Sequence, residues 1–200
     1  MAPTTHAVGG EPVTPARIVP ATPEEIRIDG AKPIPRTIHY DARGFLLETL
    51  RRDDDSVNGS KFAMSYTSAT VSHAFRDRDR WHAHRIQSDR FLVVLGEMTL
   101  ALYDARPTSP THGVLDVVQM VGAPYEGREW KARADVPSSL VPIPPGVLHC
   151  IGNLSNRPFV LTNFPTELYD PGDEGRVPFR EVTVETLGGP FDWEIVWVPR

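Results

Sequence analysis

Apolar residues in this chain come in short runs, and most runs end near a proline or a glycine. RTIHY, GFLLETL, DRFLVVLG, EMTLALYDA, VLDVVQMVG, SSLVPIPP, FVLTNF and WEIVWV are the clearest. Proline has no backbone N–H and its ring clashes with the preceding helical turn, so 20 prolines spread along the chain forbid long helices. They suit strand ends and turns instead. The best helical stretch, TPEEIR behind a capping Thr22, is about one turn long. Short runs with period-two alternation read as strands. FLVVLG followed by EMTLALYD reads as a hairpin turning at Gly96-Glu97, in which Met98, Leu100 and Leu102 alternate with Thr99, Ala101 and Tyr103 so that one face is buried.

The fold class expected from this pattern is all-β, a barrel or a two-sheet sandwich. With 200 residues, 40% of them apolar, the chain can bury one core as a single domain. Residues 1–24 are rich in Pro, Thr, Ala and Gly without periodicity and read as a flexible arm, leaving residues 25–200 as the domain. FDWEIVWV near the C-terminus reads as a strand with Trp193, Ile195 and Trp197 on one face, for a core or subunit interface. RRDDD (51–55) reads as a polar turn and RDRDR (76–80) as a solvated loop.

Charge and cysteine content narrow the partners. A net charge of -5 without a basic cluster argues against nucleic acid and against anionic membranes, leaving small molecules. The one cysteine, Cys150, allows no intrachain disulfide and reads as a buried small apolar residue. There is no basic-then-apolar leader and no apolar stretch long enough for a bilayer, so a cytoplasmic location is expected.

The chemistry-bearing stretch is RWHAHRIQSDRFLVVLG. In an extended segment residues i and i+2 share a face, so His82 and His84 project together. Asp89 and Gly96 complete the spacing H-x-H-x4-D-x6-G, and Pro144, Gly146, His149 and Asn153 give P-x-G-x2-H-x3-N. These stretches resemble the two motifs of the cupin superfamily, with Asp89 where Glu is usual. The resemblance implies a double-stranded β-helix, the jelly-roll barrel. In metal-binding cupins the matching positions would make His82, His84, Asp89 and His149 ligands of one divalent ion, Fe, Mn, Ni, Co or Zn, with open positions for substrate. Asp is one methylene shorter than Glu, and interior histidines hydrogen-bonded to a ligand or to each other are the alternative without metal.

Further stretches resemble a narrower cupin group, the dTDP-4-dehydrorhamnose 3,5-epimerase family. Asp41-Ala42-Arg43-Gly44-Phe45-Leu46-Leu47-Glu48 is similar to its D-x-R-G-x-x-x-E strand, and residues 104–113 (DARPTSPTHG) to its D-x-R-x-x-S-P-T-x-G stretch. PPGVLH and LYDPGDEGRVPF are similar to its P-P-G-x-x-H and Y-x-P-x-x-E-x-G segments. The resemblance implies an isomerase that acts on a dTDP-4-keto-6-deoxyhexose, as in dTDP-rhamnose biosynthesis, by proton transfer next to the carbonyl, and a homodimer. By motif position His82 is the base, and Arg43 and Glu48 contact the nucleotide. His149 contacts the sugar or its enolate, and the catalytic Tyr position falls at Asn163. Trp81, beside the base, closes the pocket or is structural.

Asn is no general acid, so either another group supplies the proton or the reaction differs; Tyr66, Tyr103 and Tyr169 are substitutes by residue type, with a structural role as the alternative for each. The carboxylate that orients the base has no clean match: Asp170, Asp173 and Glu174 are near, in what otherwise reads as a surface turn. A related group, the nucleotide-sugar 3,4-ketoisomerases, carries an H-A-H like 82–84 and works without metal. Three readings stand at this point: a nucleotide-sugar epimerase or isomerase, a metal-dependent cupin enzyme with another small-molecule substrate, and a non-catalytic sugar-binding cupin.

Overall fold

The computed structural model describes residues 17–54, 62–125 and 135–198. Among these residues eleven strands form two antiparallel sheets packed face to face, a jelly-roll barrel as the motifs imply. Six strands make one sheet, in the order β2 (Gly44–Leu47), β1 (Ile34–Asp41), β8 (Val136–Ile143), β5 (Asp89–Leu95), β10 (Phe159–Asn163) and β3 (Tyr66–Thr70). Five make the other: β11 (Glu174–Pro178), β4 (Arg80–His84), β9 (Val147–Gly152), β6 (Glu97–Asp104) and β7 (Leu115–Val121). No helix among the described residues is long and apolar enough to cross a membrane.

The expected hairpin at Gly96 is not one. β5 pairs with β8 and β10, whereas β6 pairs with β7 and β9, so the chain leaves one sheet and enters the other at this glycine. Gly96 has φ of 78°, and a Cβ built on it would lie 2.5 Å from the Pro158 carbonyl oxygen. Its N–H donates to the Ala123 carbonyl at 2.8 Å and its own carbonyl accepts from Gly122 at 2.8 Å. The signal read as a tight turn is therefore the crossing point between the two sheets.

Burial on β6 is also two-sided. Met98, Leu100 and Leu102 point between the sheets, into a core with Phe91, Val93, Val141, Ile143, Val147, Ile151, Phe159 and Leu161. Ala101 and Tyr103 point the other way, into a second cluster with Trp81, Cys150, Phe179, Phe191 and Trp193. The C-terminal segment supplies that outer layer. It docks as a short 3-10 turn, Trp193–Ile195, rather than as the expected strand, and Trp193 Nε1 donates to the Asp77 carbonyl at 3.0 Å. Burying aromatic side chains of this size is worth roughly 1.5–3 kcal/mol each, enough to hold an irregular segment on a sheet.

The arm reading needs correction at its C-terminal end. Residues 1–16 lie outside the described residues, but Ile18 exchanges backbone hydrogen bonds with Ile195 and Trp197, and Ala21 with Val117 and Gln119. A 3-10 turn follows at Pro23–Glu25, where the Glu25 carboxylate accepts from the Thr22 N–H at 2.9 Å. Backbone pairing holds this piece where composition gave no reason for order. RDRDR is likewise not simply solvated: Asp77 is buried and binds Arg176. Within RRDDD, Asp54 is buried against Arg36.

Gly96→Ala should lower unfolding stability by roughly 2–4 kcal/mol, combining left-handed strain with a backbone clash. Gly113→Ala, at φ 82° but with nothing within 4 Å of its Cβ position, is the control and should cost only about 1 kcal/mol by urea denaturation.

Candidate active site between the two sheets

Strand alternation puts His82 and His84 on the inner face of β4, and His149 sits directly across from His82 on β9. The ring centroids of His82 are 4.7 Å from His84 and 5.0 Å from His149. Asp89 enters from the opposite sheet at the start of β5, its Oδ2 3.6 Å from His84 Nε2 and 3.5 Å from His149 Nε2. Phe91, two residues along the same inner face, packs edge-on against the His149 ring and seals the cluster on its core side.

Asp89 is 2% exposed, and its carboxyl is held at about 2. Burial opposes its charge, but the neighbouring His149 ring, a hydrogen bond from the Asn163 amide and the His84 ring outweigh it. Its Oδ1 accepts from Gln87 Nε2 at 2.8 Å and from Asn163 Nδ2 at 2.7 Å. The Gln87 amide nitrogen also lies 3.1 Å from His84 Nε2. An amide nitrogen only donates, so this network assigns His84 a lone pair at Nε2 and a proton at Nδ1, 3.3 Å from Asp173 Oδ2. His149 Nδ1 faces the Val147 carbonyl at 3.2 Å, which leaves Nε2 aimed into the site without a hydrogen-bond partner.

His82 differs from the other two histidines. A fifth of its side chain stays accessible, and its Nε2 lies 3.3 Å from Glu174 Oε1. Burial, then the neighbouring His149 and His84 rings, push its pKa down to about 3, so the ring is neutral at physiological pH. Glu174 stays below its ordinary value despite burial, because Arg176 hydrogen-bonds it and His82 stands beside it. Arg176 in turn is braced by Asp77. A neutral imidazole with a carboxylate beside it is a competent base.

The carboxylate partner was the part least visible in the sequence. Glu174 opens β11, a strand that LYDPGDEGRVPF hides among turn residues. Asp170 does make the turn, accepting from the Gly172 N–H at 2.7 Å. Asp173 does not stay on the surface: it is 6% exposed and accepts from the N–H groups of Arg85, Ile86 and Gln87, fixing the turn that presents Gln87.

Three expected contacts are not brought to this cluster. Trp81 alternates to the outer face of β4 and is fully buried against Tyr103, Phe179 and Phe191, so it cannot meet a ligand between the sheets. Arg43 and Glu48 stand at the far edge of the six-stranded sheet, paired with Asp41 and Arg51 respectively and open to solvent. Asn163 is in the site, but its amide is spent on Tyr66, Asp89 and the Arg90 N–H rather than offered to a ligand. Of the second motif, His149 alone faces the site. Gly146 turns the chain at φ 80°, and Asn153 ties its amide to the Thr70, Val71 and Arg157 carbonyls.

No family model matches the chain. A probable low-salt glycan biosynthesis epimerase from Haloferax volcanii is 32% identical over 145 residues, covering 71% of this chain and 82% of that protein. A spore coat polysaccharide biosynthesis protein from Bacillus subtilis is 32% identical over 171 residues, covering 83% and 96%. The chain belongs to the dTDP-4-dehydrorhamnose 3,5-epimerase family. The fold agrees: a dTDP sugar isomerase from Desulfovibrio desulfuricans matches with a TM-score of 0.65 at 24% identity, over 84% of this chain and 92% of that one.

The donor set for a metal is brought together, and several of its atoms are engaged in contacts of their own. Among the described residues no group of three or more His, Cys, Asp or Glu side chains is disposed to hold an ion. Gln87 occupies the His84 Nε2 lone pair, and Asp89 Oδ1 is taken by two amides. Untagged protein should therefore carry far less than an equimolar amount of Fe, Mn, Ni, Co or Zn by plasma mass spectrometry. A near-equimolar metal that disappears in His84→Ala would show that these side chains rearrange around an ion.

Proposed function

We propose that the protein epimerises or isomerises a nucleotide-linked 4-keto-6-deoxy sugar by moving a proton at a carbon next to the carbonyl. The observation that carries this reading is the His82–Glu174 pair on the inner face, neutral imidazole beside ionised carboxylate. His82 takes the proton, Glu174 stands beside the ring and stabilises its charged form, and the His149 ring lies across from it on β9. The name of the Haloferax volcanii relative supports an epimerase, and the dTDP sugar isomerase of like fold supports a thymidine nucleotide as carrier.

A homodimer belongs to the same proposal. β2 is an open sheet edge with Leu46 61% exposed, and a second copy pairing there would cover it. Sedimentation at micromolar protein should give twice the chain mass.

The test is incubation with a dTDP-4-keto-6-deoxyhexose in deuterium oxide, followed by mass spectrometry. Wild type should exchange the proton next to the carbonyl. His82→Asn should slow exchange by about 10³-fold or more, and Glu174→Gln by about 10–10²-fold. A protein that binds the nucleotide sugar and never exchanges would be a binding module. The base must be unprotonated to work, and a His held at about 3 stays so well below the ordinary imidazole range. Exchange catalysed by free enzyme should accordingly persist down to about pH 5, rather than falling away near 6.5.

A further inference from the structure

Inverting a carbon requires removal of its proton on one face and delivery on the other, and a single base can only return a proton to the face it took it from. His82 stands on the five-stranded sheet. Across the gap, at the edge of the six-stranded sheet, β3 begins at Tyr66, whose register partner on β10 is Asn163. The two side chains share the inner face. Asn163 Nδ2 donates to the Tyr66 hydroxyl at 2.9 Å and to Asp89 Oδ1 at 2.7 Å, while Asn163 Oδ1 accepts from the Arg90 N–H at 2.9 Å.

This arrangement fixes which way the phenol faces. The Arg90 N–H requires the Asn163 carbonyl on its side, so the amide cannot flip, and its nitrogen must point at Tyr66 and Asp89. The phenol oxygen therefore accepts, and its own hydrogen is left over. Among the described residues no protein acceptor takes that hydrogen. Tyr66 as a residue is 43% exposed, at the outer end of the cluster. Burial of the ring raises the phenol above its ordinary value, so it carries its proton at neutral pH.

The other two tyrosines named by residue type are placed wrongly. Tyr103 is on the outer face of β6, its hydroxyl donating to the Thr183 carbonyl at 3.4 Å. Tyr169 is 66% exposed and hydrogen-bonds Glu174, on the same side as the base.

We propose that Tyr66 is the catalytic acid of this site, protonating the substrate carbon on the face opposite His82, with Asn163 holding its oxygen. The inference rests on the epimerase reading above. In the forward step the C–H pair moves into the bond toward the carbonyl, whose π pair moves onto oxygen, and His82 keeps the proton. The enolate then collapses, its carbon takes the Tyr66 proton, and the resulting phenolate recovers one from water while His82 releases its own. Asn163 donating to the oxygen favours that phenolate.

The experiment separates exchange from inversion. Wild type, Tyr66→Phe, His82→Asn and Tyr103→Phe are incubated with the 4-keto sugar nucleotide in deuterium oxide. Deuterium is read by mass spectrometry and configuration by NMR. Tyr66→Phe should lose at least about 10²-fold in inverted product while keeping exchange with retention within about 3-fold, because His82 can still return deuterium to its own face. The retained exchange also shows that this variant is folded. Tyr103→Phe should match wild type. If Tyr66→Phe inverts at the wild-type rate while His82→Asn is inactive, the role of Tyr66 is overturned and the epimerase reading stands. If wild type itself exchanges nothing, both fall together.

Discussion

A carboxylate that is 2% exposed has to be solvated by the protein, and Asp89 imposes that demand at the middle of this site. Its partners come from both sheets: Asn163 from β10 beside it, His149 from β9 and His84 from β4 across the gap, with Gln87 from the turn after β4. Each partner then passes its remaining capacity outward. Gln87 sets the His84 tautomer, Asn163 sets the direction of Tyr66, and the turn that presents Gln87 is itself tied by Asp173. The site is an extended polar network grown from one buried charge, enclosed by an apolar core that begins at Phe91. Such a network fixes geometry because every member would be costly to leave unpaired.

The same burial sets a tension in the chemistry. Desolvation and two neighbouring imidazoles keep His82 neutral, which the proposed base needs, but they also make it weak, and the proton it would take is only mildly acidic. Glu174 acts in the opposite direction once charge develops on the ring, and Arg176 keeps that carboxylate ionised. The pair is thus built to be indifferent to bulk acidity at rest while responding to charge created in the reaction, which is where interaction energy accelerates a step. Hydrogen bonding to the carbonyl oxygen has to supply the rest.

What the sequence revealed followed from local periodicity. The two-residue spacing of His82 and His84 and the order of the glycine and proline signals led directly to the inner face and to the barrel. What it concealed was non-local. Gly96 has the local signature of a hairpin and serves as a crossing, because a glycine at positive φ reports a sharp turn and not which sheet the chain enters next. Trp81 sits between two functional neighbours in sequence, and alternation sends it to the other side of the sheet. Glu174 lay in a stretch that reads as turns. The pairing of Tyr66 with Asn163 joins residues 97 apart, and only strand register brings them together.

The backbone exchange between Ile18 and the segment around Ile195 and Trp197 ties the two ends of the described chain to each other. Ala21 pairs with β7 as well, so the N-terminal piece is held at two points, one of them supplied by the C-terminal segment. The same segment carries Phe191 and Trp193 into the aromatic layer behind β4 and β9. Detaching it would loosen the start of the described chain and bare an apolar wall in one event, so the two ends behave as one cooperative unit.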